Sequence, residues 1–264
     1  AVGTTAATAD DGRPPDFLKP TPWAGFFEIP PGRWAEVEPL LKSGKIYLQD
    51  PGTRLAVDLL APQAGEVVLD ACAAPGGKSL LIADAMAGEK RGGGAAPPET
   101  SRGRLVAMDL PGARIDRLRE NLSRVPAAVD VALVQGDLRE NPAALFKEHK
   151  LPAEYAAVLL DVPCSNTGVM RHRVDVKWRL QEGDFHKHPR QQLALLTAAA
   201  RLVAPGGRIV YSTCSIDTEE NEHVVREFLA SRGGAVFALE ASAASYPWIA
   251  GHDGAAAFLL RKKS

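Results

Sequence analysis

The sequence predicts an α/β protein with a mostly parallel sheet covered by helices on both faces. Three observations predict it. From Val67 onward, apolar runs of strand length alternate with helical stretches, a pattern that builds βαβ units. The first run ends in a Gly-rich turn, Asp70-Ala71-Cys72-Ala73-Ala74-Pro75-Gly76-Gly77-Lys78-Ser79. Cys164, in Asp161-Val162-Pro163-Cys164-Ser165, and Cys214, in Tyr211-Ser212-Thr213-Cys214-Ser215, each follow a later apolar run directly. In open α/β sheets the carboxyl ends of the strands form the ligand-binding rim. Two thiols, a carboxylate and a Gly-rich turn on that rim point to covalent chemistry beside a bound cofactor.

Element by element, residues 1–22 are rich in Ala, Thr, Asp, Gly and Pro and read as a flexible leader. Trp23–Leu41 holds aromatic residues and Pro30-Pro31, too little for an independent domain. Residues 1–43 are therefore read as leader and short N-terminal segment, and residues 44–264 as one catalytic domain. Thr53–Leu60 reads as a helix with Leu55, Ala56, Leu59 and Leu60 on one face. Val67–Asp70 is the first strand and Gly77–Met86 the helix after it. Arg91–Arg102 is rich in Gly and Pro and reads as a mobile insertion. Strands follow at Leu105–Asp109, Val129–Gln135 and Ala156–Asp161, with helices at Arg114–Arg124 and Ala143–His149 between them. Pro163–Pro189 reads as a long loop, a length that usually carries function or disorder. Arg190–Val203 is a helix, Arg208–Tyr211 the fifth strand and Glu219–Leu229 another helix. Ala235–Leu239 and Ala256–Leu260 complete the sheet.

With 264 residues, 45% hydrophobic and 24% charged, the chain can bury one large core. A net charge of −1 excludes a global polycation, so a nucleic-acid partner needs a local basic patch. No apolar stretch is long enough to span a membrane, and no signal peptide leads the chain. Three cysteines at irregular spacing argue against a disulfide framework and for a reducing compartment. A cytoplasmic protein without membrane contact is expected.

The Gly-rich turn can be compared with known signatures. The dinucleotide pattern G-x-G-x-x-G is absent. Gly77-Lys78-Ser79 fits the end of a P-loop, and Ala157–Asp161 would pass for a Walker B strand, so a nucleotide hydrolase is a rival. Cys72, however, stands where the first P-loop Gly belongs, and that Gly makes the amide cradle for phosphate. A third reading is an S-adenosylmethionine site, where small residues let the backbone approach the cofactor. Asp109, ending the second strand, can accept both ribose hydroxyls, much as in dinucleotide folds. Asp137, ending the third, can accept from the adenine amino group. The plain alternative for both is an Asp that merely serves a turn or cap.

At these residues the chain resembles the Nop/Sun (RsmB-like) family of RNA cytosine-5 methyltransferases. The stretches Asp70–Ser79, Asp161–Gly168 and Tyr211–Ser215 carry the likeness. Tyr47-Leu48-Gln49-Asp50-Pro51 and Asp175-Val176-Lys177-Trp178 also match. The likeness runs from about Gly44 to Arg261, interrupted at Arg91–Arg102. It implies a class I (Rossmann-like) methyltransferase fold with a seven-stranded, mostly parallel sheet and S-adenosyl-L-methionine as cofactor. An RNA substrate, rRNA or tRNA, is implied, with no metal required.

The chemistry accounts for the residue types. Carbon 5 of cytosine is a poor nucleophile, and a thiolate adding to carbon 6 makes the ring enamine-like. A free thiol is only a few per cent ionised near pH 7, so a local device favouring the thiolate would help. Asp217 and Glu220 lie at capping-box spacing, which would set a helix start close after Cys214. By resemblance, Cys214 is the nucleophile and Cys164 the second thiol, assisting proton removal or product release. DNA cytosine methyltransferases use the cysteine of a Pro-Cys motif instead, so the reverse assignment stays open. Asp161 would contact the ring near nitrogen 3, and Lys78 would face base and cofactor. The family pattern places cofactor contacts at Cys72, Ala73, Ala74, Pro75, Gly76, Gly77, Lys78, Asp109, Arg114, Asp137 and Asp161. Neighbouring strands lie about 4.8 Å apart, so thiols following the fourth and fifth could face one pocket. The plain alternative is a pair of buried core cysteines.

Arg171, His172, Arg173, Lys177 and Arg179 surround Trp178. They form either a phosphate-contacting patch with a stacking aromatic or a solvated loop anchored by a buried Trp. His172, His186 and His188 match no zinc spacing. Two features depart from the family. Only about forty residues precede the matched part, and Asp253-Gly254 is followed by Ala255 and Ala256 rather than aromatics. A catalytically silent RNA-binding scaffold therefore stands as a second rival.

Overall fold

The computed structural model describes residues 14–88 and 102–264, together with the short strand Gly3–Thr4. Most of the Arg91–Arg102 insertion, and much of the leader, lie outside the described residues. The central sheet has seven strands: β1 (Val67–Asp70), β2 (Gly103–Asp109), β3 (Val129–Gln135), β4 (Tyr155–Asp161), β5 (Val203–Thr213), β6 (Phe237–Ser245) and β7 (Ala255–Lys262). Their order is β6-β7-β5-β4-β1-β2-β3. The pairs β1–β2, β2–β3, β1–β4 and β4–β5 are parallel; β7 runs antiparallel to both β5 and β6. The switch point lies between β1 and β4, the place where open sheets leave a crevice for ligands.

The helices are α1 (Trp34–Lys42), α2 (Arg54–Leu60), α3 (Gly77–Ala87), α4 (Ile115–Leu122), α5 (Pro142–Glu148), α6 (Val176–Arg179), α7 (Asp184–Ala200), α8 (Glu222–Ala230) and α9 (Pro247–Ala250). The strand period of two divides the core between the sheet's faces. Leu69, Val106, Met108, Val158, Leu160, Ile209 and Tyr211 pack with α5, α7 and α8. Val68, Leu105, Ala107, Ala157, Leu159 and Val210 pack with α2, α3 and α4. Strands covered on both sides read as unbroken apolar runs, which is why β1, β2 and β4 were visible in the sequence.

The N-terminal segment is packed from Leu18 on. Leu18, Val37 and Ile46 form a small cluster of their own, while Phe26 is buried in the main core and Trp23 meets His252 edge-on at 5.1 Å.

Three expectations change. The stretch Pro163–Pro189 is not one loop: it holds a 3-10 turn at Thr167–Val169, helix α6 and the start of α7. Pro189 suggested a boundary, yet it lies within α7. A proline deprives a helix of one hydrogen bond, and the long apolar contact of Leu195, Leu196 and Ala199 outweighs that loss. Strand β5 runs from Val203, and β6 continues to Ser245, well beyond the apolar stretches that marked them. Helix α8 begins at Glu222 rather than Glu219.

Candidate active site

The Gly-rich turn leaves β1 as an extension of the sheet. The Ala71 and Ala73 amides donate to the Leu159 and Met108 carbonyls, and the Ala74 amide donates to Asp109 Oδ2 at 2.8 Å. Gly76 has φ +108, a left-handed backbone that favours glycine, and a Cβ there would stand a tight 3.1 Å from Leu118 Cδ1. Asn121 Nδ2 closes the turn on the Pro75 carbonyl at 2.7 Å, and α3 starts at Gly77.

Over this turn lies a cavity of about 340 Å³, within the range of small-molecule sites. Cys72, Ala74, Asp109, Arg114, Asp137, Asp161, Cys164, Asn166 and Cys214 line it. Asp109 is nearly buried; its Oδ1 accepts from the Leu110 amide at 2.8 Å and lies 3.6 Å from Arg114. Arg114 also reaches the Ala74 carbonyl at 3.4 Å and lines the cavity. Asp137 is not a free acceptor: Arg139 Nε donates to its Oδ1 at 2.9 Å and holds its carboxyl below the usual range. Sequence reasoning missed Arg139, although its place two residues after Asp137 was a readable signal. Burial, then Asp109 and Asp70, pushes the Cys72 thiol up, so this cysteine is a neutral wall. The wall carries three carboxylates, Asp109, Asp137 and Asp161, and three guanidinium groups, Arg114, Arg139 and Arg173.

The two other thiols meet. Because Leu160 pairs with Tyr211 and Asp161 with Ser212, the segments after β4 and β5 leave the sheet side by side. Cys164 Sγ lies 3.1 Å from Cys214 Sγ. Cys164 is buried and Cys214 is half-buried. The hydrogen bond to Cys214, and then burial, pushes the Cys164 thiol well up. Cys214 Sγ in turn donates to Asn166 Oδ1 at 3.2 Å, while Asn166 Nδ2 donates to the Cys164 carbonyl at 2.9 Å. Asn166 adopts φ +65, a left-handed conformation that Asn tolerates better than most residues. It stood inside a motif already singled out but had been given no role.

Buried polar groups fix this arrangement. Glu220 accepts from the Ser165 amide at 3.0 Å and from Gln192 Nε2 at 2.6 Å, and Gln192 also donates to the Pro163 carbonyl. Asp217 accepts from Thr167 Oγ1 at 2.6 Å and Ser215 Oγ at 2.9 Å. The expected capping box is therefore absent: both acids tie the two cysteine segments together, and α8 starts eight residues after Cys214. No helix N-terminus sits at that sulfur. Gly168 donates to the Cys214 carbonyl at 3.0 Å and accepts from the Gly254 amide at 2.8 Å.

Lys78 Nζ donates to Asp161 Oδ2 at 2.8 Å, and Ser212 Oγ donates to Asp161 Oδ1 at 2.7 Å. Burial works against the charge on Lys78, but Asp161, with Cys214 and Asp70 adding to it, holds the ammonium above its ordinary range. Both Lys78 and Asp161 also line two smaller cavities. One, of about 60 Å³, is bounded by Asp50, Thr213, Cys214, Asp253 and Gly254. The other, of about 200 Å³, is bounded by Tyr47, Gln49, Asp70 and Gly77. Ser79, the P-loop candidate hydroxyl, is fully buried and donates to Asp70 Oδ2 at 2.6 Å. Neither it nor Lys78 is free for a nucleotide phosphate.

His172 Nε2 stands 3.6 Å from Asp253 Oδ1 and 4.0 Å from Asp50 Oδ2, with Arg171 Nε also 3.6 Å from Asp253. This clasp joins the turn before α2, the segment before α6 and the turn before β7. Trp178 is 78% exposed and is no buried anchor.

The strand order and the crevice at the switch point, lined by Asp109, Asp137 and Asp161, define the class I methyltransferase fold. The model of the 16S rRNA methyltransferase RsmB/F family matches residues 57–245, and the chain belongs to that family. It is 36% identical to the ribosomal RNA small subunit methyltransferase B of Cronobacter sakazakii over 72% of this chain and 40% of that one. It thus spans about 40% of the length of such relatives. Among solved structures, that of PH0851 has 29% identity and a TM-score of 0.75 over 93% of this chain and 54% of the other. NSun6 from Pyrococcus horikoshii, solved with SFG, has 26% identity and a TM-score of 0.69 over 90% and 58%. Family and neighbours together make S-adenosyl-L-methionine the cofactor. No helix among the described residues is long and apolar enough to cross a membrane.

Proposed function

We propose that this chain is the catalytic domain, over residues 44–264, of an RNA (cytosine-5)-methyltransferase acting on rRNA or tRNA through a covalent Cys214 adduct. The observation that carries the reading is the position of Cys214. Cys214 lines both the large cavity, with Asp109 and Asp137, and the small one, with Lys78, and its sulfur lies 3.1 Å from a second thiol. S-adenosyl-L-methionine supplies an electrophilic methyl group. Asp109 would accept its ribose hydroxyls, Asp137 with Arg139 would border the adenine, and the Cys72–Lys78 turn would carry its amino-acid end. Arg114 closes the adenosine side.

The target cytosine must leave any stack it occupies, which costs a few kcal/mol. Cys214, as its thiolate, would add to carbon 6, and carbon 5 would then take the methyl group while the donor leaves as its neutral thioether. Water in the cavity would take the carbon 5 proton, the C–H electron pair would restore the double bond between carbons 5 and 6, and the bond between sulfur and carbon 6 would break. Asp161, held by Lys78 and Ser212, faces the ring near nitrogen 3 and steadies the adduct. The hydrogen bond to Cys214, and then burial, favour the thiol form of Cys164. It is placed to return a proton to the Cys214 sulfur as that sulfur leaves. The buried position of Cys164 and the more open one of Cys214 favour this order of roles over its inverse.

The test is methyl transfer to a pool of unmodified RNA. Cys214→Ala should abolish transfer while leaving cofactor affinity near normal. Cys164→Ala should accumulate an RNA–protein adduct that survives denaturing electrophoresis. Full activity in Cys214→Ala, with a dead and untrapped Cys164→Ala, would exchange the two roles. Thermal stabilisation by ATP and not by S-adenosylmethionine would return the nucleotide-hydrolase reading.

A further inference from the structure

We propose that the segment Arg171–Arg179 is the surface on which an unpaired stretch of the RNA docks, with one base stacked on the Trp178 indole. The inference rests on the reading that the substrate is RNA. Trp178 is 78% exposed, more than any other large hydrophobic residue described. An indole left in water contributes little to folding, since its value lies in the area it buries. Lys177 Nζ sits 4.9 Å from the ring centroid, a cation held against an aromatic face.

Charge selects the partner. Four basic side chains, Arg171, Arg173, Lys177 and Arg179, stand against the single acid Asp175 in nine residues, on a chain whose net charge is −1. Arg173 and Arg179 both reach Asp175 at 3.3 Å, in exposed pairs that hold weakly and yield readily to a phosphate. No carboxylate among the described residues pairs with Lys177.

Position supports the same partner. Arg173 lines the large cavity and Val169 the small one beside Cys214. Arg171 Nη1 donates to the Gly251 carbonyl at 2.7 Å, tying the segment to the end of α9. That helix exposes Trp248 at 70% and Ile249 at 77%. Cations and exposed aromatic residues therefore stand on two linked segments, one of which supplies a wall of the cavity that Cys214 lines. Splayed bases stack on aromatic faces, whereas a duplex keeps its bases inside and offers only backbone and groove edges.

The probe is a short, unstructured oligoribonucleotide of mixed sequence, alone and in a duplex, followed by fluorescence anisotropy. Trp178→Ala should weaken binding of the unpaired strand by about 5- to 150-fold, the range for loss of one stacked base. Trp178→Phe should recover most of that loss, and the duplex affinity should not move. Lys177→Gln should lower the slope of log affinity against log salt by about 0.7, the share of one phosphate contact on a single strand. Unchanged binding of the unpaired strand by Trp178→Ala, an equal loss for the duplex, or no recovery in Trp178→Phe would each overturn the proposal. Tryptophan-dependent binding without methyl transfer would instead refute the cytosine-5 reading and leave this surface standing. Methyl transfer by a protein whose Trp178→Ala variant binds like the wild type would do the reverse.

Discussion

Asp70 ends β1 beneath the candidate site, and its burial has a measurable consequence. The residue is 1% exposed. Ser79 donates to its Oδ2, and its Oδ1 has no hydrogen-bond partner among the described residues. Burial pushes its carboxyl up from 3.8; the Ser79 hydrogen bond pulls it back, Asp161 pushes it further, and it reaches about 7. A carboxyl whose folded value lies above its unfolded one favours the fold only while protonated. Its contribution is complete below about 3.8 and is lost as pH rises through about 7. At about 1.4 kcal/mol per tenfold change in proton affinity, the whole span is worth about 4 kcal/mol. That figure is a ceiling, because local relaxation and water entry reduce the cost of a buried charge. Asp70→Asn keeps the shape and removes the titration. Urea denaturation of both proteins should be followed from about pH 4 to about pH 8. The stability of the variant relative to the wild type should climb by up to about 4 kcal/mol across that window and level off above about pH 7. Any constant penalty from the new amide cancels in the pH dependence. A stability difference that stays flat from acid to alkaline pH would refute the reasoning.

Two further outcomes follow from the segments that hold the thiols. Gly168→Ala would place a Cβ 2.5 Å from the Gly254 carbonyl oxygen and 2.7 Å from that of Cys214. Both are backbone atoms, so the loop must shift. Thermal melts should register a loss of about 1–3 kcal/mol, and methyl transfer should fall more than cofactor affinity. Glu220→Ala should cost about 2–5 kcal/mol in urea denaturation, because it strands the buried Ser165 amide and one bond of Gln192. Glu220→Gln, which keeps an acceptor, should cost markedly less.

Much of the fold was legible because its signals are local. A strand buried on both faces writes a continuous apolar run, and β1, β2, β3 and β4 stand within two residues of where their runs placed them. The rim was legible for the same reason: Asp70, Asp109 and Asp161 end such runs, and Cys164 and Cys214 come just after two of them. The stretch Pro163–Pro189 reads as a loop, yet it holds the start of α7, with Pro189 inside the helix. Tertiary contact along α7 overrides the local preference of proline. The capping box at Asp217 and Glu220 was misread because the spacing is local while the partners are not. Ser165 and Thr167 lie 55 and 50 residues away in sequence. The basic cluster around Trp178 left a stacking platform and a buried anchor both open, since the two use the same residue, and only the structure shows the indole exposed.

The chain by itself determined the βα alternation, the order of rim residues and the residue types needed for thiol chemistry, because periodicity and strand ends are written within a few neighbours. Only the tertiary structure decided which groups touch. It brought Cys164 to Cys214, occupied Asp137 with Arg139, turned two acids from helix caps into tethers and left Trp178 in water. The physical reason is that each of these outcomes depends on how β4, β5 and the segments beyond them are packed side by side. That packing is set by the whole core and by no single stretch of sequence.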